Sequence, residues 1–433
     1  MPPQDTAELR STDRFEHGPG DRGSSGAAPP PGPGKPSRTP LAILFLTVFL
    51  DLVGFGIVIP LLPLYAEEFG ASPVAVTWLV AVYSLMQFAV APWWGQLSDR
   101  HGRRPILLIG LFGSGLSYLF FGLAGTLGGL FAARILAGVM GANIGVAQAY
   151  VADVTNERER ARGMGMIGAA FGLGFIFGPV IGGLLSQFGM SVPFFAASAL
   201  AFGNGLLAVV RLPESLGARD RTAGGHSGFR ARLRHFRKLT RSSDMGVLYL
   251  AFFLITFGFA ALEATLSLWA DRRWQLTPAG VAYVFAYLGL VVTVVQGTLV
   301  GPLVKHLGER RLALVGAGAF AVGLATTPLA ASPLGVAIGL AVLAFGQGTA
   351  VPAISALISQ RAPSTEQGRL LGVSQSLSAL GRVVGPIWGG IAFARIGIGA
   401  PYLSAALLAV LAMAALGAFL GPAPPAGGDV APR

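Results

Sequence analysis

Runs of apolar residues, separated by short charged or Pro/Gly-rich breaks, divide this chain into twelve segments. They are Leu41–Tyr65, Val74–Leu97, Pro105–Ala124, Leu127–Tyr150, Gly163–Phe188, Val192–Arg211, Met245–Ala270, Ala279–Val304, Leu312–Leu329, Leu334–Gln360, Leu370–Ala394 and Ala400–Leu420. A helix that crosses a bilayer needs about 20 mostly apolar residues, the length of these segments. Strands of a membrane barrel would alternate apolar and polar positions over about ten residues, and these runs do not. A polar stretch, 212–244, parts the first six segments from the last six. The pattern predicts an all-α membrane protein with twelve transmembrane helices in two six-helix bundles, 41–211 and 245–421, joined by a cytoplasmic central loop. Residues 1–38 lack the apolar core of a signal peptide and are rich in Gly, Pro and Ser, so they read as a disordered cytosolic tail. Residues 422–433 read as a second cytosolic tail.

Composition agrees. Of 433 residues, 53% are hydrophobic and only 12% charged, and the mean hydropathy is +0.64. Soluble domains carry about 25% charged residues, so a soluble enzyme is excluded. There is no cysteine, which removes disulfides, thiolate metal sites and cysteine nucleophiles. No metal or cofactor is expected, and no Walker-type phosphate loop is present for ATP. The net charge of +11 is a matter of topology. With the N-terminus inside, 26 of the 31 Lys and Arg lie on the cytoplasmic side and three outside, while Arg134 and Arg382 fall within helices. That asymmetry puts both termini in the cytoplasm and turns the basic side towards anionic headgroups of the lipid bilayer. Nucleic acid is not an expected partner.

The two halves repeat each other. Gly95, Leu97, Gly102 and Arg104 match Gly301, Leu303, Gly308 and Arg310, a shift of 206 residues. Gly174, Gly178, Pro179, Gly182 and Gly183 match Gly381, Gly385, Pro386, Gly389 and Gly390, a shift of 207. Duplicated bundles related by a pseudo-two-fold axis place function at their interface, near the bilayer midplane.

Four stretches resemble the major facilitator superfamily, and within it the twelve-helix drug/proton antiporters, bacterial tetracycline efflux pumps above all. They are DLVGFGIVIPLLP from Asp51, APWWGQLSDRHGRRP from Ala91, RILAGVMGAN from Arg134 running on to AYVADVT, and GAAFGLGFIFGPVIGG from Gly168. The resemblance covers nearly all of 41–420. It implies a proton-coupled exporter of drugs or other hydrophobic small molecules in a bacterial inner membrane, driven by the proton gradient and working as a monomer. A sugar or metabolite transporter of the same superfamily is the alternative, and a non-transporting receptor or scaffold a remote one. One departure concerns tetracycline. The resembling pumps carry an acidic residue early in the ninth helix, where this chain has Phe320 and no acid.

Candidate residues follow from depth in the membrane. Asp51 sits about ten residues into the first segment, where a carboxylate needs a partner or a proton. In the resembling pumps an acid at this motif position is needed for proton-coupled transport. Glu263 is the other deep carboxylate: a second proton site, a contact for a cationic substrate, or a solvated group near the outer mouth. Arg134 keeps its charge and must find an anionic or carbonyl partner, unless it snorkels to water. The family reading makes it act on proton uptake. Gly95, Asp99, Arg100, Gly102, Arg103 and Arg104 form the loop that, in the family, latches the outward-facing state; Gly95 and Gly102 would allow close packing and a turn. Gly174, Gly178, Pro179, Gly182 and Gly183, with Gly168 and Gly172, predict a closely packed, bendable helix. Tyr83 and Gln87, four apart on one helix face, would line the drug path. Asn143, Gln148, Gln296, Gln347, Gln375 and Arg382 are further candidates to touch substrate, though interhelical hydrogen bonding is the commoner role for such groups.

Overall fold

A computed structural model describes residues 38–141, 143–155, 157–216, 243–361 and 367–419. The expected tails and most of the central loop lie outside these. The described chain is helical throughout: α1 Arg38–Glu68, α2 Pro73–His101, α3 Arg103–Leu123, α4 Leu127–Met140, α5 Asn143–Val154, α6 Glu157–Ser186, α7 Val192–Arg211, α8 Ser243–Trp274, α9 Pro278–Val294, α10 Val300–Leu329, α11 Pro333–Gln360, α12 Gln367–Arg395 and α13 Ala400–Phe419. A five-residue π turn, Val295–Leu299, joins α9 to α10.

Eleven of the described stretches are long and apolar enough to cross a membrane, and one of them, Pro278–Leu329, runs for 52 residues. At about 1.5 Å per residue that is more than twice the hydrocarbon thickness of about 30 Å. It is broken at Gly308, whose φ of 72° and ψ of 160° are not helical. Split there, it supplies two crossings and the total becomes twelve. Gly102, the repeat partner of Gly308, has φ 102° and ψ 158° and separates α2 from α3 in the same way. These conformations suit glycine because it has no Cβ to clash. The α4 and α5 pieces make up the fourth crossing together.

Helix ends often overrun the apolar runs. The second run ends at Leu97, but α2 continues to His101; the seventh ends at Ala270, but α8 continues to Trp274. Hydropathy marks where the hydrocarbon ends, whereas a helix stops where its backbone is capped. Four starts are capped alike: the side chains of Ser72, Thr126, Thr277 and Ser332 each accept a hydrogen bond from the backbone N–H three residues on.

Packing follows the repeat. In the first half α1 packs on α6 and α7, and α3 on α4 and α7; in the second, α8 packs on α12 and α13, and α10 on α11 and α13. The seam between the halves is made chiefly by α6 on α9 and α2 on α12, two contacts that the pseudo-two-fold exchanges. Arg104 and its repeat partner Arg310 follow suit: Arg104 Nη2 donates to Val209 O at the end of α7, and Arg310 Nη2 to Gly417 O at the end of α13.

Candidate functional site

The glycines of α6 divide between two neighbours. A Cβ on Gly174, Gly178 or Gly182 would meet Leu52, Gly56 and Ile57 of α1 at 3.0 Å or less. On the other side, a Cβ at Gly172 would meet Thr293, and one at Gly183 would meet Ala282 at 2.8 Å, both in α9. Helix α6 is therefore wedged between its own half and the opposite one, with Pro179 inside it. The repeat reproduces this: Gly381, Gly385 and Gly389 of α12 press on α8, while Gly390 presses on Thr77 of α2. Gly168 has no neighbour within 4 Å of where a Cβ would stand, so that part of the predicted close packing is not made here.

The seam is tight at one end only. At the end where α1 meets α8, Ser267 Oγ donates to Pro60 O at 2.9 Å, and Arg272 Nη2 pairs with Glu67 Oε1 at 2.9 Å while lying over the Phe393 ring. At the other end, which carries the 95–104 loop, Gly95, Gly165, Gly168 and Gly372 on the seam helices, with Gly297 in the π turn and Gly301 just after it, have nothing within 4 Å of where a Cβ would stand. The expected close approach at Gly95 is thus absent from this conformation.

Between these ends lies a polar cluster. Arg134 of α4 is 3% exposed; its Nε donates to Leu79 O at 3.2 Å and its guanidinium lies 4.5 Å from the centre of the Tyr83 ring. The carbonyl partner that the sequence demands is therefore Leu79 O, and snorkelling to water is excluded by burial. The charge of Asp51 reaches Tyr83 and Tyr118, and Glu263 lies in the fields of Arg382 and Arg134. Arg382 Nη1 also donates to Ser378 Oγ at 2.7 Å. Glu263 is one helical turn below Ser267, towards the loop end, and is half-buried. Glu263, Arg134 and Arg382, from three helices of both halves, thus share one electrostatic neighbourhood, and Asp51 adjoins it through Tyr83 and Tyr118. Tyr118 was not among the sequence candidates, since nothing in its local pattern distinguishes it from a core tyrosine.

Other candidates are placed differently. Gln87 Nε2 donates to Gly141 O at 2.9 Å, so Tyr83 and Gln87 both face the fourth crossing and bind α2 to it. Gln148, Gln296 and Gln375 are exposed, Gln296 within the π turn; Gln347 is half-buried, with its Oε1 buried. The side chain of Asn143 lies outside the described residues. Phe320 is fully buried against α8 and α11, so that position belongs to the core of the second half.

The 95–104 loop is wired within the first half. Arg103 Nη1 pairs with Asp99 Oδ1 at 2.5 Å and donates to Ser98 Oγ, and its Nε pairs with Asp153 Oδ2 at 3.1 Å. Glu214, just past α7, accepts from the backbone N–H of Arg103 at 2.8 Å and so caps the start of α3. Arg100 is exposed. Sequence reasoning assigned no role to Asp153 or Glu214, because their contacts with Arg103 span 50 and 111 residues of chain.

The family model of the Major Facilitator Superfamily matches residues 44–300 and again 248–433. The chain belongs to the Major Facilitator Superfamily. It is 32% identical to multidrug resistance protein 2 of Bacillus subtilis (strain 168), over 87% of this chain and 94% of that one. It is 36% identical to the class G tetracycline resistance protein of Vibrio anguillarum, over 81% and 89%. The crystal structure of the human organic anion transporter MFSD10 (TETRAN) superposes with a TM-score of 0.68 at 27% identity, covering 88% of this chain and all of that one. The crystal structure of the nucleoside transporter NupG superposes at 0.70 with 12% identity, over 88% and 98%, a likeness of fold. This superfamily member is a multi-pass membrane transporter of small molecules and not an enzyme.

Proposed function

We propose that this transporter exports hydrophobic or amphiphilic small molecules, drugs among them, in exchange for protons. It works as a monomer in a bacterial inner membrane, with both termini and the 95–104 loop in the cytoplasm. The observation that carries this reading is the Glu263–Arg134–Arg382 group, which Asp51 adjoins through Tyr83 and Tyr118, beneath the end where Ser267 meets Pro60. On the proposed orientation the present conformation faces inward. The loop contacts fit that state: Asp99 and Arg103 bind within the first half, leaving the cross-seam latch of the outward-facing state undone.

The cluster's charges set the sense of coupling. With both acids ionised the four groups sum to zero; one proton makes the site positive. A unit charge about 10 Å away at an effective dielectric of about 20 is worth about 1.7 kcal/mol, more than a tenfold change in affinity. Protonation therefore weakens the hold on a cationic or electron-poor substrate, and proton and drug exclude each other, which is what exchange requires. A proton entering from outside displaces the drug; release of that proton inside restores drug affinity. Occupancy biases the two conformations only by this difference in affinity.

A second reading follows from Arg134 and Arg382, with the MFSD10 relative, an organic anion transporter, in support: the substrate is an organic anion. The same arithmetic then gives the opposite sign, since protonation would strengthen anion binding and favour co-transport. Accumulation of a fluorescent and antibiotic panel in efflux-deficient cells separates the two. Lowered accumulation of neutral or cationic compounds with the parent, restored by Asp51→Asn, supports exchange. Proton-dependent gain of anionic dyes sinks it.

A further inference from the structure

A small cavity lies inside the first half, away from the seam, between α1, α3 and α5. It is lined by Leu44, Thr47, Val48, Asp51, Leu52, Leu107, Leu111, Ile144 and Ala147, and only Thr47 and Asp51 bring polar side chains to it. It leaves about 20 Å³ for the centre of a water-sized sphere. A cavity needs about 10–15 Å³ by that measure to hold one water.

Two buried oxygens at this cavity have no protein partner: Thr47 Oγ1 and Asp51 Oδ1. Thr47 is 2% exposed. Its behaviour is unusual for this chain. Thr155, Thr256, Thr265, Thr293, Thr298, Thr326, Thr327 and Thr349 each donate the hydroxyl to the carbonyl four residues back, the ordinary habit of threonine in a helix. Thr47 does not, although Asn204 Nδ2 fixes the same turn by donating to Thr47 O at 2.8 Å. Thr47 and Asp51 are four residues apart, and side chains at that spacing stand about 5–6 Å apart on one helix face. That gap suits one bridging water.

We infer that this cavity binds a single water held between Thr47 Oγ1 and Asp51 Oδ1, and that Thr47 is a positioning residue for the proton carried by Asp51. The inference rests on the proton-coupled reading above. Asp51 then has two faces. One meets the polar cluster, where Tyr83 of α2 and Tyr118 of α3 feel its charge and Arg134 of α4 stands behind the Tyr83 ring. The other meets the water. The stretches packed on α1 here from α6 and α7, around Gly174 and Asn204, present no titratable group. The Thr47 hydroxyl donates to the water, and the water donates to the ionised carboxylate; when Asp51 takes up a proton the water can turn to accept from it.

The test uses the full-length protein in liposomes. Thr47→Val removes the hydroxyl and keeps the shape; Thr47→Ser restores the hydroxyl, and Thr47→Ala serves if valine does not fold. Losing a hydrogen bond that supports the charged form should lower the proton concentration for half-maximal transport by about tenfold. Infrared difference spectra on a pH jump should contain a carboxyl band that Asp51→Asn abolishes. Thr47→Val should move this band to higher frequency, and Thr47→Ser should return it. An unmoved band and pH profile in Thr47→Val, with the Asp51→Asn effect intact, overturn the water site alone. If Asp51→Asn leaves transport and its pH profile unchanged, the proton-coupled reading falls, and this inference with it.

Discussion

Gly178 and Gly168 lie on one helix and look equivalent as small residues spaced along it, yet the packing separates them. A methyl at Gly178 would stand 2.6 Å from Gly56 Cα and 2.7 Å from Val53 O. Carbon atoms rest at about 3.5–4.0 Å, so α1 and α6 would have to part by about 1 Å. Overpacking of this kind costs about 1–3 kcal/mol, a factor of about 5 to 150 in the folded-to-unfolded ratio. At Gly168 nothing lies within 4 Å, and alanine gains up to about 1 kcal/mol of helix propensity. The repeat supplies an independent copy: a Cβ on Gly385 would stand 2.5 Å from Phe257 O. The assay is thermal unfolding of purified protein in detergent, followed by loss of the monodisperse species. Gly178→Ala and Gly385→Ala should unfold at lower temperature than the parent, and Gly168→Ala at the same or higher temperature. A Gly178→Ala protein as stable as the parent, or a Gly168→Ala protein equally damaged, would refute the packing argument.

Three further outcomes are expected. The cysteine-free chain allows single-site labelling: Gly165→Cys should react quickly with a membrane-impermeant maleimide applied from the loop side, and Ser267→Cys slowly; equal rates would contradict a seam sealed at one end. Arg134→Lys keeps the charge but loses the planar group stacked on Tyr83. It should therefore reduce transport severalfold while the protein remains folded in a thermal assay, and full transport would remove Arg134 from the mechanism. Glu67→Gln breaks a half-exposed pair worth about 0–1 kcal/mol. Its effect should appear as faster labelling of Ser267→Cys with little change in unfolding temperature.

Much of the architecture was legible because membrane helices announce themselves by length and apolarity. The repeat was legible because the same backbone problem is solved twice by glycine, as at Gly102 and Gly308 or at Gly178 and Gly385. The demand of Arg134 for a partner was also readable, since its charge is fixed at depth. Which partner it takes was not: Leu79 O comes from a helix 55 residues earlier, and a carbonyl leaves no signature in sequence. Gln87 illustrates the reverse case. Its polarity marked it as a candidate for substrate, and only the structure shows that it also braces α2 against the fourth crossing through Gly141 O.

By itself the sequence determined the apolar spans, the two-fold duplication and the scarcity of charge at depth, because each is a property of composition and spacing along one chain. The tertiary structure alone decided which end of the seam is closed, that Glu263, Arg134 and Arg382 share one neighbourhood with Asp51 beside Tyr83 and Tyr118, and that Thr47 Oγ1 lies at a cavity without bonding its own helix. Those depend on how close helices distant in sequence come, and an ångström of separation at a glycine leaves no trace in the order of residues.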